Sequence, residues 1–165
     1  ALNLVRKHRL WETLLYKLFD VSLYEIHREA ELLENYTSDF LAKKLTDYLG
    51  NPKIDPHGDP IPNEKGEIRT DKESLCLSNC KEGKTYIIKR LKSDDKEFFD
   101  FCTLYGLKLG NQVMVTNQFK FNNMTQISIN SNTLLLNSDF TNIIYVKEIN
   151  EKPKDSPIST YKLFE

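Results

Sequence analysis

Along the first fifty or so residues the apolar positions recur at steps of three and four. Between Leu4 and Leu18 they fall at Leu10, Trp11, Leu14, Leu15 and Leu18, the spacing of a helix that buries one face. No turn signal or capping residue precedes this helix, so the chain reads as though it begins partway through a larger protein. A second helix is expected from Leu23 to Tyr36. Ser22 and Glu25 start it in the S-x-x-E spacing in which each side chain satisfies a backbone N–H, and its buried stripe would be Leu23, Ile26, Ala30 and Leu33. Ser38 caps a third, whose apolar set is Phe40, Leu41, Leu45, Tyr48 and Leu49 and whose stop is Gly50. Three helices with such wide apolar faces, in a segment this short, cannot bury those faces alone. A second copy of the chain is the simplest cover, and a homodimer is expected.

After Gly50 the helical period stops. NPKIDPHGDPIPNEKGEIRTD, beginning at Asn51, carries four prolines and two glycines in a polar stretch and reads as a linker ending near Lys72. Beyond it come TYIIKRL (85–91), NQVMVTNQF (111–119), TQISIN (125–130), NTLLLN (132–137) and NIIYVKEI (142–149), short runs rich in β-branched residues that predict strands. DKEFFDFCTLYG, between the first two, predicts a short helix ended by Gly106. Five short strands with tight connections suggest a small barrel. The fold class is therefore α+β: an all-helical domain with its linker over 1–72, a small β-barrel over 73–150, and a tail over 151–165 expected to be mobile as far as Ile158.

Composition narrows the function classes. Lys plus Arg (23) nearly balances Asp plus Glu (24) in 165 residues, so no broad basic field is available for gripping nucleic acid. No apolar run reaches the length of a membrane span and the N-terminus lacks a signal-peptide core, which points to the cytoplasm and away from a membrane. Cys76, Cys80 and Cys102 are an odd set in a chain without an export signal, so reduced thiols are expected. Cys76 and Cys80 lack the second pair that a zinc ribbon needs. There is no HExxH motif and no nucleophile-base pair, so the chain is not expected to be an enzyme.

The candidate chemistry lies on the helices. His8 and Glu12 are four apart on the first, and His27, Glu31 and Glu34 follow at four and three on the second, beside its buried stripe. Two helices offering histidines and carboxylates in this way can enclose an ion from two sides. Such a set, with imidazole and oxygen donors and no thiolate, suits Mn(II), Fe(II) or Zn(II). The same spacing is also common among solvated ion pairs. His57, in DPHGDP, reads as part of a turn built by Pro56, Gly58 and Pro60, with a metal-ligand role as the lesser alternative. Arg6, Lys7 and Arg9 read as a solvated helix end.

RKHRLWETLL (6–15), IHREAELLE (26–34), TSD (37–39) and GNPKIDPHGDPIP (50–62), in that order, resemble the middle of the diphtheria-toxin-repressor family of iron- and manganese-dependent transcriptional regulators. LSNCKEGKTYIIKRL and GLKLGNQVMV resemble the family's SH3-like, FeoA-like C-terminal domain. The resemblance implies a dimerisation and metal-binding domain followed by an SH3-like domain. It also implies an operator-reading winged helix-turn-helix ahead of them, absent from this chain.

By the resemblance, Glu31 and Glu34 occupy the site that activates DNA binding, and His8, Glu12 and His27 a second site. In manganese-type members the histidine at the His8 position serves both. Glu31 stands where iron-responding members tend to carry cysteine and manganese-responding ones glutamate, whereas Asn35 replaces a histidine ligand with a weak, neutral amide carbonyl. That substitution implies either weakened binding or loss at the activating site. Asp94, Asp95 and Glu97 are candidates for a ligand lent by the C-terminal domain, and an ordinary acidic helix start explains them too. The implied cofactor is Fe(II) or Mn(II), with Zn(II) as a substitute. The alternative is a metal-independent dimeric scaffold, or protein-binding module, whose metal sites have decayed.

Overall fold

A computed structural model describes residues 1–150 of the chain. The expectation of a mobile tail over 151–165 lies outside the described residues.

Three helices come first: α1 (Leu2–Phe19), α2 (Leu23–Glu34) and α3 (Asp39–Tyr48). The second and third begin where Ser22 and Ser38 accept the backbone N–H of Glu25 and Leu41, as the cap spacing requires. Tyr36 N–H then turns back to the carbonyl of Leu33, so α2 closes two residues before the expected Tyr36. The indole of Trp11 donates to the Thr37 hydroxyl (2.6 Å), which donates to the carbonyl of Leu33 (2.7 Å), and this chain ties α1 to the end of α2.

The apolar faces are only partly covered. Leu10, Ala42 and Leu45 form a small core, and Ile26 and Ala30 are buried on α2. Several residues expected inside lie at the surface instead: Leu18 is 50% exposed, Phe40 72% and Tyr48 69%. The buried positions of α1 include two charged groups, Arg6 and Glu12. Helical periodicity identified the faces of these helices, but not the polar chemistry placed between them.

The second half is a six-stranded antiparallel sheet in the order β1-β6-β2-β3-β4-β5. Its strands are β1 (Leu75–Cys76), β2 (Thr85–Leu91), β3 (Gln112–Phe119), β4 (Met124–Ile129), β5 (Asn132–Leu136) and β6 (Ile144–Glu148). Helix α4 (Lys96–Tyr105) joins β2 to β3, and the short α5 (Ser138–Thr141) joins β5 to β6. Register shifts at Ile88/Arg90 and Val115/Asn117 bend the sheet around its inner face. That face carries Val113, Val115, Ile127, Ile129, Leu134, Leu136, Ile144 and Val146, all buried. The alternation along β4, with every second residue inside, is what one-sided burial of a strand demands. Three elements exceed the expectation: the two-residue β1, a 3₁₀ turn over Leu77–Asn79 and the one-turn α5, all too short for a periodic signal.

The linker is ordered where it meets the sheet. The carbonyl of His57 accepts the N–H of Leu91 (2.8 Å), and Gly58 has φ 89 with its Cα so close to β2 that a Cβ there would lie 2.0 Å from the Lys89 carbonyl oxygen. Only glycine fits such an approach. Leu23 and Tyr24 of α2 also pack against the core of the sheet half. The linker and α2 therefore hold the helices against β2 and α4. Among the described residues no helix is long and apolar enough to cross a membrane.

Candidate metal centre

Helix geometry brings His8 and Glu12 onto one side of α1, facing His27 and Glu34 on α2. The His8 Nε2 atom lies 3.0 Å from Glu12 Oε1 and 3.1 Å from His27 Nδ1, and His27 Nδ1 lies 3.1 Å from the same Glu12 oxygen. Three donor atoms about 3 Å apart are spaced as ligands sharing one ion at bond lengths of roughly 2.0–2.2 Å. On the other edge of the imidazole, His8 Nδ1 meets Glu34 Oε2 at 2.6 Å. His8 thus faces Glu12 with one ring nitrogen and Glu34 with the other.

Glu31 stands further out, its Oε1 3.4 Å from His27 Nε2 and its side chain 59% exposed. Asn35 caps α2 and is exposed. Of the three acidic candidates at the start of α4, Asp95 spends its carboxylate on the Phe98 N–H as the helix cap, and Glu97 is exposed in the first turn. Asp94 alone lines the cavity of about 550 Å³ that also contains His8, Glu12, His27 and Glu34.

Two residues that sequence reasoning assigned to a turn, or passed over, complete the picture. Asp55 and His57 are buried in the linker at 3% and 5% exposure and group with Glu12, His57 nearing Oε2 where His27 nears Oε1. The His57 N–H and the Asp59 N–H both donate to Asp55 Oδ1 (2.8 and 2.9 Å), which is the turn that proline and glycine predict. The imidazole does a second job: Nε2–H donates to the Leu23 carbonyl (2.8 Å), which leaves Nδ1 toward Glu12 Oε2 (3.6 Å) and Asp55 Oδ1 (3.8 Å). Asp55 Oδ2 is buried without a hydrogen-bond partner, its nearest cation Arg9 Nε at 3.9 Å. The sequence signal was a histidine between two aspartates in DPHGD. Its partner, Glu12, lies on a different element, which spacing alone does not link to it.

Glu12 is the centre of this arrangement, 2% exposed, with Oε1 toward His8 and His27 and Oε2 toward His57. Burial works to raise its carboxyl, but His57 and His8 overcome burial and hold it far below the usual carboxylate range. Burial likewise opposes a charged His57, yet Asp55 and Glu12 lift that imidazole to about 10. His8 is raised in the same way, against burial, by Glu12 and Glu34. Burial raises the Asp55 carboxyl, His57 working against it. Without an ion these groups neutralise one another through protons on the imidazoles. A divalent cation supplies the same positive charge and would satisfy the orphaned Asp55 oxygen, so the donor set fits such an ion.

Known proteins share this arrangement of elements. The family profile described as "Iron dependent repressor, metal binding and dimerisation domain" matches residues 1–63, and that of the FeoA domain matches residues 75–148. The diphtheria toxin repressor of Corynebacterium glutamicum is 26% identical over 159 residues, covering 90% of this chain and 68% of its own length. A solved structure of a manganese-dependent transcriptional repressor superposes with a TM-score of 0.84 at 34% identity, covering 90% of this chain and 80% of that one. The structure of ScaR with bound Zn²⁺ superposes with a TM-score of 0.78 at 32% identity, covering 90% of this chain and 73% of that one.

Proposed function

The chain belongs to the diphtheria-toxin-repressor family of metal-dependent transcriptional regulators, and we propose that it is the metal-sensing and dimerising part of such a regulator. The convergence of His8, Glu12 and His27 on one point carries this reading. The helical metal-binding and dimerisation domain spans 1–72 and the SH3-like domain 73–150. The ion is Mn(II) or Fe(II), with Zn(II) able to take its place. Relatives named for manganese and for iron, and the Zn²⁺ complex of ScaR, support that range.

His8, Glu12 and His27 hold one ion, with Glu12 presenting Oε1. Asp55 and His57 form a second cradle on Glu12 Oε2, and Asp94 lines the same cavity. Glu34, through the other face of His8, and Glu31 at the solvent edge serve the activating position, where Asn35 contributes at most a weak amide ligand. A bound ion supplies a fixed double charge that ties α1, α2 and the linker together. The exposed apolar side chains of this half, Leu32, Tyr36, Phe40 and Tyr48 among them, are what a second copy covers.

In the full regulator, metal favours one arrangement of two DNA-reading domains across this dimer, and operator affinity follows from that preference. No catalytic step is assigned to the chain. Asn35 favours a second reading for the Glu31–Glu34 end alone, in which that position no longer holds an ion and metal is sensed only through Glu12.

Titration with Mn(II), with free ion followed by EPR, tests the proposal. The wild-type chain is expected to remove Mn(II) from solution and the His8→Ala, His27→Ala double variant to lose a complete class of sites. Equal binding by the two would leave the decayed scaffold as the better reading.

A further inference from the structure

Resting on the Asp55–His57 cradle proposed above, a second group of contacts on the sheet side decides how that cradle is held. Arg90 of β2 forms an ion pair with Asp59, Nε lying 2.5 Å from Oδ1 outside hydrogen-bond geometry, with its guanidinium over the ring of Tyr145 on β6 at 5.5 Å. Asp59 is in turn bound to Asp55 twice. The Asp55 N–H donates to the Asp59 carbonyl (2.8 Å), and the Asp59 N–H donates to Asp55 Oδ1 (2.9 Å). The next residue of β2, Leu91, donates its N–H to the carbonyl of His57. Gly58 between them touches the backbone of Lys89 and Arg90. Each donor of the cradle except Glu12 is therefore fixed by a loop whose far side is gripped by three consecutive residues of one strand.

We propose that Arg90 is a positioning residue for metal binding: through Asp59 it holds the linker so that the Asp55 carboxylate and His57 Nδ1 stay grouped with Glu12. It touches no ion itself. Its charge, taken alone, would repel a cation from the cavity it lines. A supporting residue of this kind acts by geometry, because ligands that must be ordered on binding bind more weakly than ligands already in place. The consequence is that the sheet is part of the sensor. An ion in the cradle is held fully only while β2 stays docked on the linker, and by linkage the bound ion stabilises that docking.

The test is a Mn(II) titration of the whole chain comparing wild type with Arg90→Gln, Arg90→Lys, Asp59→Asn and two reference variants, His57→Gln and His27→Gln. The expected result is that Arg90→Gln and Asp59→Asn weaken, by about tenfold, the class of sites that His57→Gln removes. The class removed by His27→Gln should be unaffected. Arg90→Lys, which keeps a cation for Asp59, should recover most of the loss. The same titration read by limited proteolysis in the linker should show Mn(II) protecting wild type and Arg90→Lys, and failing to protect Arg90→Gln.

Tighter binding by Arg90→Gln would mean that Arg90 acts only as a repelling charge and would overturn the proposal. So would equal weakening of both classes, the mark of a general loss of structure. If His57→Gln removes no class, the cradle itself is absent and the proposal falls with it, whereas an unchanged Arg90→Gln beside an affected His57→Gln removes only the role of Arg90.

Discussion

The two halves of this chain are held together by different means. The sheet half encloses seventeen buried residues, nearly all aliphatic or aromatic, in one continuous cluster. The helical half gathers three into its own cluster and buries Arg6, Glu12, Asp55 and His57 beside them. Apolar burial grows stronger with area and asks for no partner, whereas a buried charge is tolerated only while its counter-charges stay in place. The sheet is thus expected to be stable by itself, and the helices conditional: on a second copy for their open faces, and on an ion or a set of protons for their interior.

That contrast is open to attack from either side. The largest effect should come from the sheet: Ile127→Ala, at a position with 0% exposure, is expected to cost about 2–5 kcal/mol in denaturant unfolding. A smaller cost would show that the sheet core is looser than its burial indicates. Next is the addition of Mn(II), which should raise the unfolding temperature of the helical half. At a hundredfold excess over the dissociation constant the gain is about 2.7 kcal/mol. Amide exchange should place this protection on α1, α2 and the linker and not on β3 to β5. Uniform protection would mean that the halves unfold as one unit. The smallest effect belongs to Ser22→Ala, which removes the cap of α2 and should destabilise the helical half by about 1 kcal/mol. Because α2 carries His27, the variant should also weaken Mn(II) binding slightly, as a calorimetric titration would record.

The same contrast explains what could be read in the sequence. Strands β2 to β5 follow the expected runs within a residue or two at each end, because one-sided burial imprints a period of two on the chain. Ser22 and Ser38 marked their helix starts because a cap is a local contact. His8, Glu12, His27 and Glu34 could be grouped because α1 and α2 are neighbours and each presents its donors at helical spacing. Asp55 and His57 could not. Their meaning depends on a linker folding back against Glu12 and β2, and no period in DPHGDP records that. Phe40 and Tyr48 were expected inside for a related reason: periodicity reports that a face is apolar and leaves open which molecule covers it. Asn35, read as a weakened or lost ligand, sits at the exposed end of α2 next to Glu34, where its replacement by histidine would test that reading directly.

The hydrogen bond from Trp11 to Thr37 has a practical consequence. The chain contains a single tryptophan, and it lies on α1 next to Glu12, in the half whose order is conditional. Ultraviolet emission from that indole therefore reports on the helices alone, because the sheet has no indole of its own. Loss of the bond to Thr37 as α1 and α2 part would move the emission toward the colour of tryptophan in water. The molecule carries its own optical gauge of the metal-bearing half, and a titration can be followed in a cuvette without any added label.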